Sequence, residues 1–292
     1  MCLAPCLLFL TETAAWAGLL VKDDTGETIR LETPARRIIA LYGAFNEILA
    51  AMGLEDRIVA RTSADRLPES IIKKPSIDTH MRPNIELILG CKPDLVLQMA
   101  GRREASETVA ALKRFGVSTA FFQVSSFEEL FSVISRLGVL TEAELPARDL
   151  VTSMKSRLAR VYEVVNNISG KPRVVFEVRY PNLLCAGRGS MVDEVIQKAG
   201  GVNCVTGSQK LIRLSEEELL RLSPDVYLVQ KGPMNPAPLP PPERPHYQAL
   251  EAVKKGRVYV VDEQMFSRPG PRNVEAVEIL ARRLYPDLFP GK

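Results

Sequence analysis

Short apolar runs alternate along this chain with stretches of helical period. Residues 37–41 form one buried-strand pattern. Residues 43–53 follow as a helix, with Phe45, Ile48, Leu49 and Met52 at helical spacing and Gly53 as its stop. Residues 57–60 and 95–98 read as further strands. A helix over 106–115 closes at Gly116 before a strand over 117–122. Strand and helix in alternation predict a parallel sheet with helices on its faces. The second half repeats the order: strand 173–178, helix 191–199, helix 215–222, strand 226–230 and strand 257–261. Residues 84–97 and 215–228 are near-copies, each a short Leu-bearing helix, a Pro-Asp turn and an apolar run. Pro93 and Pro224 stand 131 positions apart. A spaced echo of this kind predicts two similar α/β lobes, and a cleft between them is where a ligand would sit.

Between the halves one apolar stripe, Ala147, Leu150, Val151, Met154, Leu158, Val161 and Val165, keeps helical period. Thr141 to Glu144 reads as its capping box, and Pro146 falls in the first turns. Some twenty helical residues span about 30 Å, a strut rather than a flexible linker. The expected fold is therefore α/β: two Rossmann-like parallel-sheet lobes joined by one long backbone helix. The organisation is a signal segment 1–17, an N-terminal lobe 18–140, the helix 141–168 and a C-terminal lobe 169–292. Residues 233–245 hold seven prolines, which rules out helix and sheet there. That loop follows a second-lobe strand and reads either as a wall of the site or as a stiff surface loop.

The 292 residues, 46% hydrophobic and 25% charged, suit a globular protein with two cores. A net charge of +3, without a long basic run, excludes nucleic acid as a partner. Residues 1–17 carry an apolar stretch and end Ala15-Trp16-Ala17, like an export signal with its cleavage site. Export to the periplasm or cell surface is the expectation. Beyond that segment Cys91, Cys185 and Cys204 have no zinc or redox spacing. Cys91 reads as a core residue, and a Cys185–Cys204 pairing stays open.

Enzyme readings find no support. There is no phosphate loop. Gly187-Arg188-Gly189-Ser190 lacks the third glycine of a dinucleotide fingerprint and does not form a nucleophile elbow, so Ser190 reads as an N-cap. The only histidines are His80 and His246, too few for a bare-metal site. The informative residues are arginines and tyrosines in loops at the predicted carboxyl ends of strands, where ligands bind in parallel α/β sheets. These are Tyr42, His80, Met81, Arg82 and Arg102 in the first half. The second half offers Arg179, Tyr180, Arg188, Arg213, Arg268 and Arg272. Arginine binds carboxylates and similar oxyanions bidentately. Tyrosine adds an aromatic wall with a polar tip. No protein residue set holds a metal on its own; His80 or Tyr180 would serve as an axial ligand on an already chelated ion.

Certain residues carry a resemblance. They are Arg37 to Leu41 with Asn46-Glu47-Ile48-Leu49, Asn84-Ile85-Glu86 through Pro93-Asp94-Leu95-Val96, and Ala186 to Ser190 with Asp193-Glu194-Val195. Ala199 to Asn203 and Ser215 through Pro224-Asp225 complete the set. Over residues 37–285 the chain resembles periplasmic substrate-binding proteins of ABC importers, of the helical-backbone type that captures cobalamin, ferric siderophores and haem. The resemblance implies a shallow cleft, little closure on binding, a monomer, and no catalysis or resident cofactor. It also implies docking to a membrane permease dimer through an acidic residue on each lobe: Glu104 or Glu107 on the first, Glu216 or Glu217 on the second. The bare-metal branch of this superfamily uses a histidine cluster that is absent here. The basic rim favours an anionic iron chelate, a ferric siderophore or haem. A corrinoid ranks second, because the only Trp is Trp16. A two-lobed metal-cluster enzyme subunit, the alternative of another class, would need cluster-ligating cysteines that the chain lacks.

Overall fold

Each half of the chain builds its own sheet, and one long helix runs beneath both. The computed structural model describes residues 18–79, 83–100 and 110–289. The chain enters through an antiparallel hairpin, β1 (Leu19–Lys22) and β2 (Thr28–Leu31). Asp23 in its turn accepts the backbone N–H groups of Thr25, Glu27 and Phe121, which rivets the hairpin to the first lobe.

The first lobe is a four-stranded parallel sheet of β3 (Ile38–Ala40), β4 (Ile58–Ala60), β5 (Leu95–Met99) and β6 (Ser118–Phe122), in the order β4-β3-β5-β6. Helices α1 (Gly43–Ala51) and α2 (Ile85–Gly90) belong to this lobe. A further helix, α3 (Phe127–Thr141), ends it. Ser126 caps α3 by accepting the Glu129 N–H. The connector α4 (Glu144–Val165) has 22 residues, about 33 Å at 1.5 Å per residue.

The expected capping box at 141–144 does not form. Thr141 is the last residue of α3 and donates its hydroxyl to Leu137 O, and Ala143, without a capping side chain, precedes α4. The turn is Glu142 in the left-handed region at φ 50°. Gly138 lets α4 cross close, because a Cβ there would stand 2.7 Å from that of Ala147.

The second lobe is mixed rather than purely parallel. Strand β7 (Arg173–Arg179) pairs in parallel with β11 (Val226–Lys231), which pairs with β12 (Val258–Asp262). On its other edge β7 meets β8 (Leu184–Ala186) antiparallel and β9 (Val202–Asn203) parallel; β10 (Leu211–Arg213) closes that edge against β8. Helices α5 (Met191–Lys198), α6 (Glu216–Leu222), α7 (Glu251–Lys254), α8 (Glu263–Phe266) and α9 (Asn273–Leu284) flank the sheet. Among the described residues no helix is long and apolar enough to cross a membrane.

The sequence echo has a physical basis. Asp94 accepts the N–H groups of Arg36 and Arg37 at 2.7 and 2.9 Å, and Arg37 returns its guanidinium to Cys91 O at the end of α2. In the second lobe Asp225 accepts the Arg173 N–H at 2.8 Å, and Arg173 caps α6 at Leu222 O. Each Pro-Asp turn thus ties the start of its lobe's first strand to the end of a helix and satisfies orphan carbonyls there.

One apolar core unites the lobes. Leu95, Leu97 and Phe122 of the first sheet join Met154 and Leu158 of α4, then Val174, Phe176, Val226 and Leu228 of the second sheet, in a continuous cluster. The opposite faces carry separate cores, around Val96 and Phe121 in one lobe and Val175, Tyr227 and Val229 in the other. Interiors packed at this density resist shear, so large lobe rotation would have to break the shared core.

Candidate ligand-binding site

The segment after β3 meets the other lobe where Gly43 and Glu47 lie against Arg268 and Arg272. Tyr42 follows β3 and caps α1 in extended backbone. It is half-buried, with its ring 6.1 Å and edge-on from Phe45, which in turn meets Phe122 at 6.0 Å. This strand-end aromatic is held by the shared core.

Directly below, α1 reaches the second lobe. Glu47 accepts from Arg272 Nε at 2.6 Å and from Arg268 Nη1 at 3.3 Å, and its side chain is only 9% exposed. Arg268 enters through the space that Gly43 leaves open. A Cβ on Gly43 would sit 2.5 Å from Arg268 Nη1 and collide with Asp65 Oδ1. Asp65 is itself buried and accepts from Thr62 N–H and hydroxyl and from Asn46. Arg268 and Arg272, expected on the ligand rim, are engaged in this interlobe ion pair.

A second buried charge cluster lies under the proline-rich loop. Arg244 has no exposed side-chain surface, and neither has Glu177, its partner on β7. The pairing is bidentate, at 2.5 and 2.8 Å, and Arg244 also donates to Leu239 O. Tyr227 adds its hydroxyl to Glu177 at 2.7 Å. The guanidinium carbon stands 3.9 Å from the centroid of Tyr180 and 5.0 Å from that of Tyr247. Burial and the Glu177 charge push the Tyr227 phenol well up, and burial raises Tyr247 to about 12. Burial opposes the Arg244 charge, but the Glu177 hydrogen bonds more than offset it and raise its pKa. Folded phenols that titrate above the ordinary tyrosine value of about 10 give stability that is whole below that pH and lost as pH rises toward 12. A urea-midpoint series from pH 9 to about 12 should show this fall; a flat profile would contradict it.

Two of the expected rim arginines lie at the carboxyl end of β7. Arg179 pairs in register with Leu184, which pairs with Arg213, so both occupy one row at the carboxyl end of β7. Their Cα atoms are two strand spacings apart, about 10 Å. Both are exposed, and among the described residues neither has an ion-pair partner.

Arg188 lies elsewhere. It lines a groove of about 460 Å³ with Tyr162, Lys171, Gln197 and Lys198, beside β9 and the amino end of β7. The glycines flanking it are filled by backbone: a Cβ on Gly189 would meet Ser208 O at 2.5 Å. Ser190 is the N-cap of α5, accepting the Asp193 N–H. Cys185 and Cys204 are separate buried thiols. Burial pushes both up, Cys204 to about 11.

Glu216 and Glu217 are exposed in the first turn of α6, behind a Ser215–Glu218 capping box. His80, Met81, Arg82, Arg102, Glu104, Glu107 and the segment 1–17 lie outside the described residues. Three contributors go beyond the expected set. Glu47 and Arg244 emerge only in three dimensions. Glu86 was within reach of the sequence, because a shift of 131 positions carries Glu217 onto it, and it is exposed in the first turn of α2. Among the described residues no cluster of three His, Cys, Asp or Glu could hold a bare metal ion.

Residues 38–265 match the family model described as "Periplasmic binding protein". An uncharacterized ABC transporter substrate-binding lipoprotein, YvrC of Bacillus subtilis (strain 168), is 30% identical over 92% of this chain and 86% of its own. A vitamin B12-binding protein of Vibrio cholerae is 26% identical over 84% of this chain and 87% of its own. The crystal structure of a possible iron-binding, periplasmic solute-binding protein from Staphylococcus epidermidis superposes with a TM-score of 0.74 at 26% identity. It covers 87% of this chain and 100% of its own. The chain belongs to the periplasmic binding protein family, the solute receptors that serve the membrane permeases of ABC importers.

Proposed function

We propose that the protein captures an anionic metal chelate outside the cytoplasm, an iron chelate in first place, and hands it to an importer permease. The observation that carries this reading is the Arg179–Arg213 row, two exposed arginines whose Cα atoms stand about 10 Å apart, with Tyr180 next in the chain to Arg179. Carboxylates or catecholate oxygens of a wrapped ferric ion suit such donors. A corrinoid is the second reading, favoured by the similarity to a vitamin B12-binding protein. The test mixes the purified protein with haemin, hydroxocobalamin and a ferric catecholate, then follows retained colour and melting temperature. Retention of an iron chelate supports the first reading, and retention of hydroxocobalamin alone supports the second. No stabilisation by any of the three would end both.

Two further outcomes are expected. Arg179→Gln and Arg213→Gln should each weaken binding of a carboxylated chelate by about 1.5–3 kcal/mol. They should also flatten the salt dependence of the affinity in calorimetry; affinities unchanged in both variants would remove the rim from the site. For the permease, the internal repeat supplies a matched pair, Glu86 on one lobe and Glu217 on the other. A dimeric partner with two equivalent basic patches needs such a pair. Charge reversal to Lys at either position should weaken docking about tenfold, with chelate affinity unchanged. Docking insensitive to both reversals would reject the pair.

A further inference from the structure

The proline-rich loop has an anchoring that a plain surface loop does not need. It leaves the carboxyl end of β11, which lies between β7 and β12, and within residues 233–245 the prolines allow one short 3-10 turn at Pro241–Glu243, where the sequence pattern predicts no helix at all. Met234 N–H donates to Glu263 at 2.8 Å, and Asn235 bridges back to Gln230 O and Gly232. At its far end the loop descends into the lobe as Arg244, which is fully buried. That one side chain holds Glu177 of β7 with two hydrogen bonds, Leu239 O of its own loop with two more, and the face of Tyr180. Tyr180 is the residue that follows β7, next to Arg179 of the arginine row. Meanwhile the loop keeps Met234 and Leu239 exposed, at 41% and 42%. Prolines prevent the backbone from collapsing to cover these apolar tips.

We propose that Arg244 is a positioning residue of the ligand site, fixing Tyr180 and the proline-rich segment as one pre-formed wall that receives the apolar face of a chelate while Arg179 and Arg213 meet its anionic edge. The inference rests on the receptor reading above and adds the ligand's shape to it: one apolar face, aryl or macrocyclic, and one oxyanion edge. A wall ordered before binding spares the ligand the cost of immobilising the loop and the ring. A mobile loop of the same composition would bind the same groups more weakly. Arg244 touches no ligand in this scheme; it acts through Tyr180 and through the carbonyl of Leu239.

The test must separate positioning from folding, because Arg244→Met alone leaves the Glu177 carboxylate buried and unpaired. The double variant Glu177→Gln/Arg244→Met removes both charges, and such swaps restore much of the lost stability. The full chain carrying 3-fluorotyrosine at position 180 is titrated, well below its melting temperature, with whichever of haemin, hydroxocobalamin and a ferric catecholate the unsubstituted protein retains. The expected result for the double variant is a recovered melting temperature, faster amide exchange over 232–245, a broadened Tyr180 fluorine line, and affinity lower by about tenfold or more. Recovery of both stability and affinity would overturn the inference, since Arg244 would then matter only to the fold. Released loop amides with unchanged affinity would overturn it too, by removing the wall from the site. If the unsubstituted protein retains none of the probes, the receptor reading itself fails and this inference falls with it. That outcome is told apart by the wild-type control.

Discussion

Replacing Glu177 by alanine is expected to destabilise the protein by about 3–5 kcal/mol, the largest loss of any single polar substitution outside the cleft. The reason is asymmetry. Arg244 sits with no solvent exposure and two hydrogen bonds to this carboxylate, at 2.5 and 2.8 Å. Without the carboxylate the guanidinium stays charged in a region where water cannot reach it. Tyr227 loses the acceptor of its hydroxyl at the same time. A buried pair contributes little compared with an apolar pair of equal volume, but breaking it strands one charge. Urea denaturation measures the loss as a lower midpoint at constant slope. A change below about 1 kcal/mol would mean that Arg244 escapes to solvent, contrary to the zero exposure.

The second large effect is at the lobe interface. Glu47→Ala is expected to cost about 2–3 kcal/mol and to raise amide exchange in α1 and in residues 263–272 together. Glu47 is the carboxylate on which Arg268 and Arg272 converge from the other lobe, 2.6 Å from Arg272 Nε. Gly43→Ala should act similarly with no charge removed, because its Cβ would occupy the space of Arg268 Nη1. A double-mutant cycle of Glu47→Ala with Arg268→Ala isolates the pair. Coupling of about 1–3 kcal/mol is expected, and coupling under about 0.5 kcal/mol would show that the shared core alone holds the lobes.

The lobes and the connecting helix were legible because their signals are periodic and local. The P-D turns recur with apolar strands behind them, and the structure gives both turns the same task through Asp94 and Asp225. The stripe Ala147 to Val165 became α4 because its buried residues fall on one helical face. Helix α3 also left a mark, with Ser126 three residues ahead of Glu129 and Phe127, Leu130, Phe131, Ile134 and Leu137 on one side. Its end at Thr141 is what displaced the expected capping box. Strands β8, β9 and β10 have two or three residues each, too few for alternation to register. The candidate site was harder to read. The carboxyl-end rule named Arg179 and Arg213, which share one row at the carboxyl end of β7, yet it could not foresee that Arg268 and Arg272 would turn to Glu47, 221 and 225 positions away in sequence. Arg244, in a run of prolines, reads as solvated, and only the packing of Tyr180, Glu177 and Tyr247 around it reveals otherwise.

The most direct test of the two-lobed receptor is anomalous diffraction from crystals soaked with a retained chelate, recorded at the absorption edge of its iron or cobalt. The account predicts one metal peak between the lobes, facing the carboxyl ends of β5 and β7, with Arg179 and Arg213 on one side of it and the proline-rich segment on another. A peak in the groove beside Arg188, or metal bound only on the outer surface of a single lobe, would contradict it.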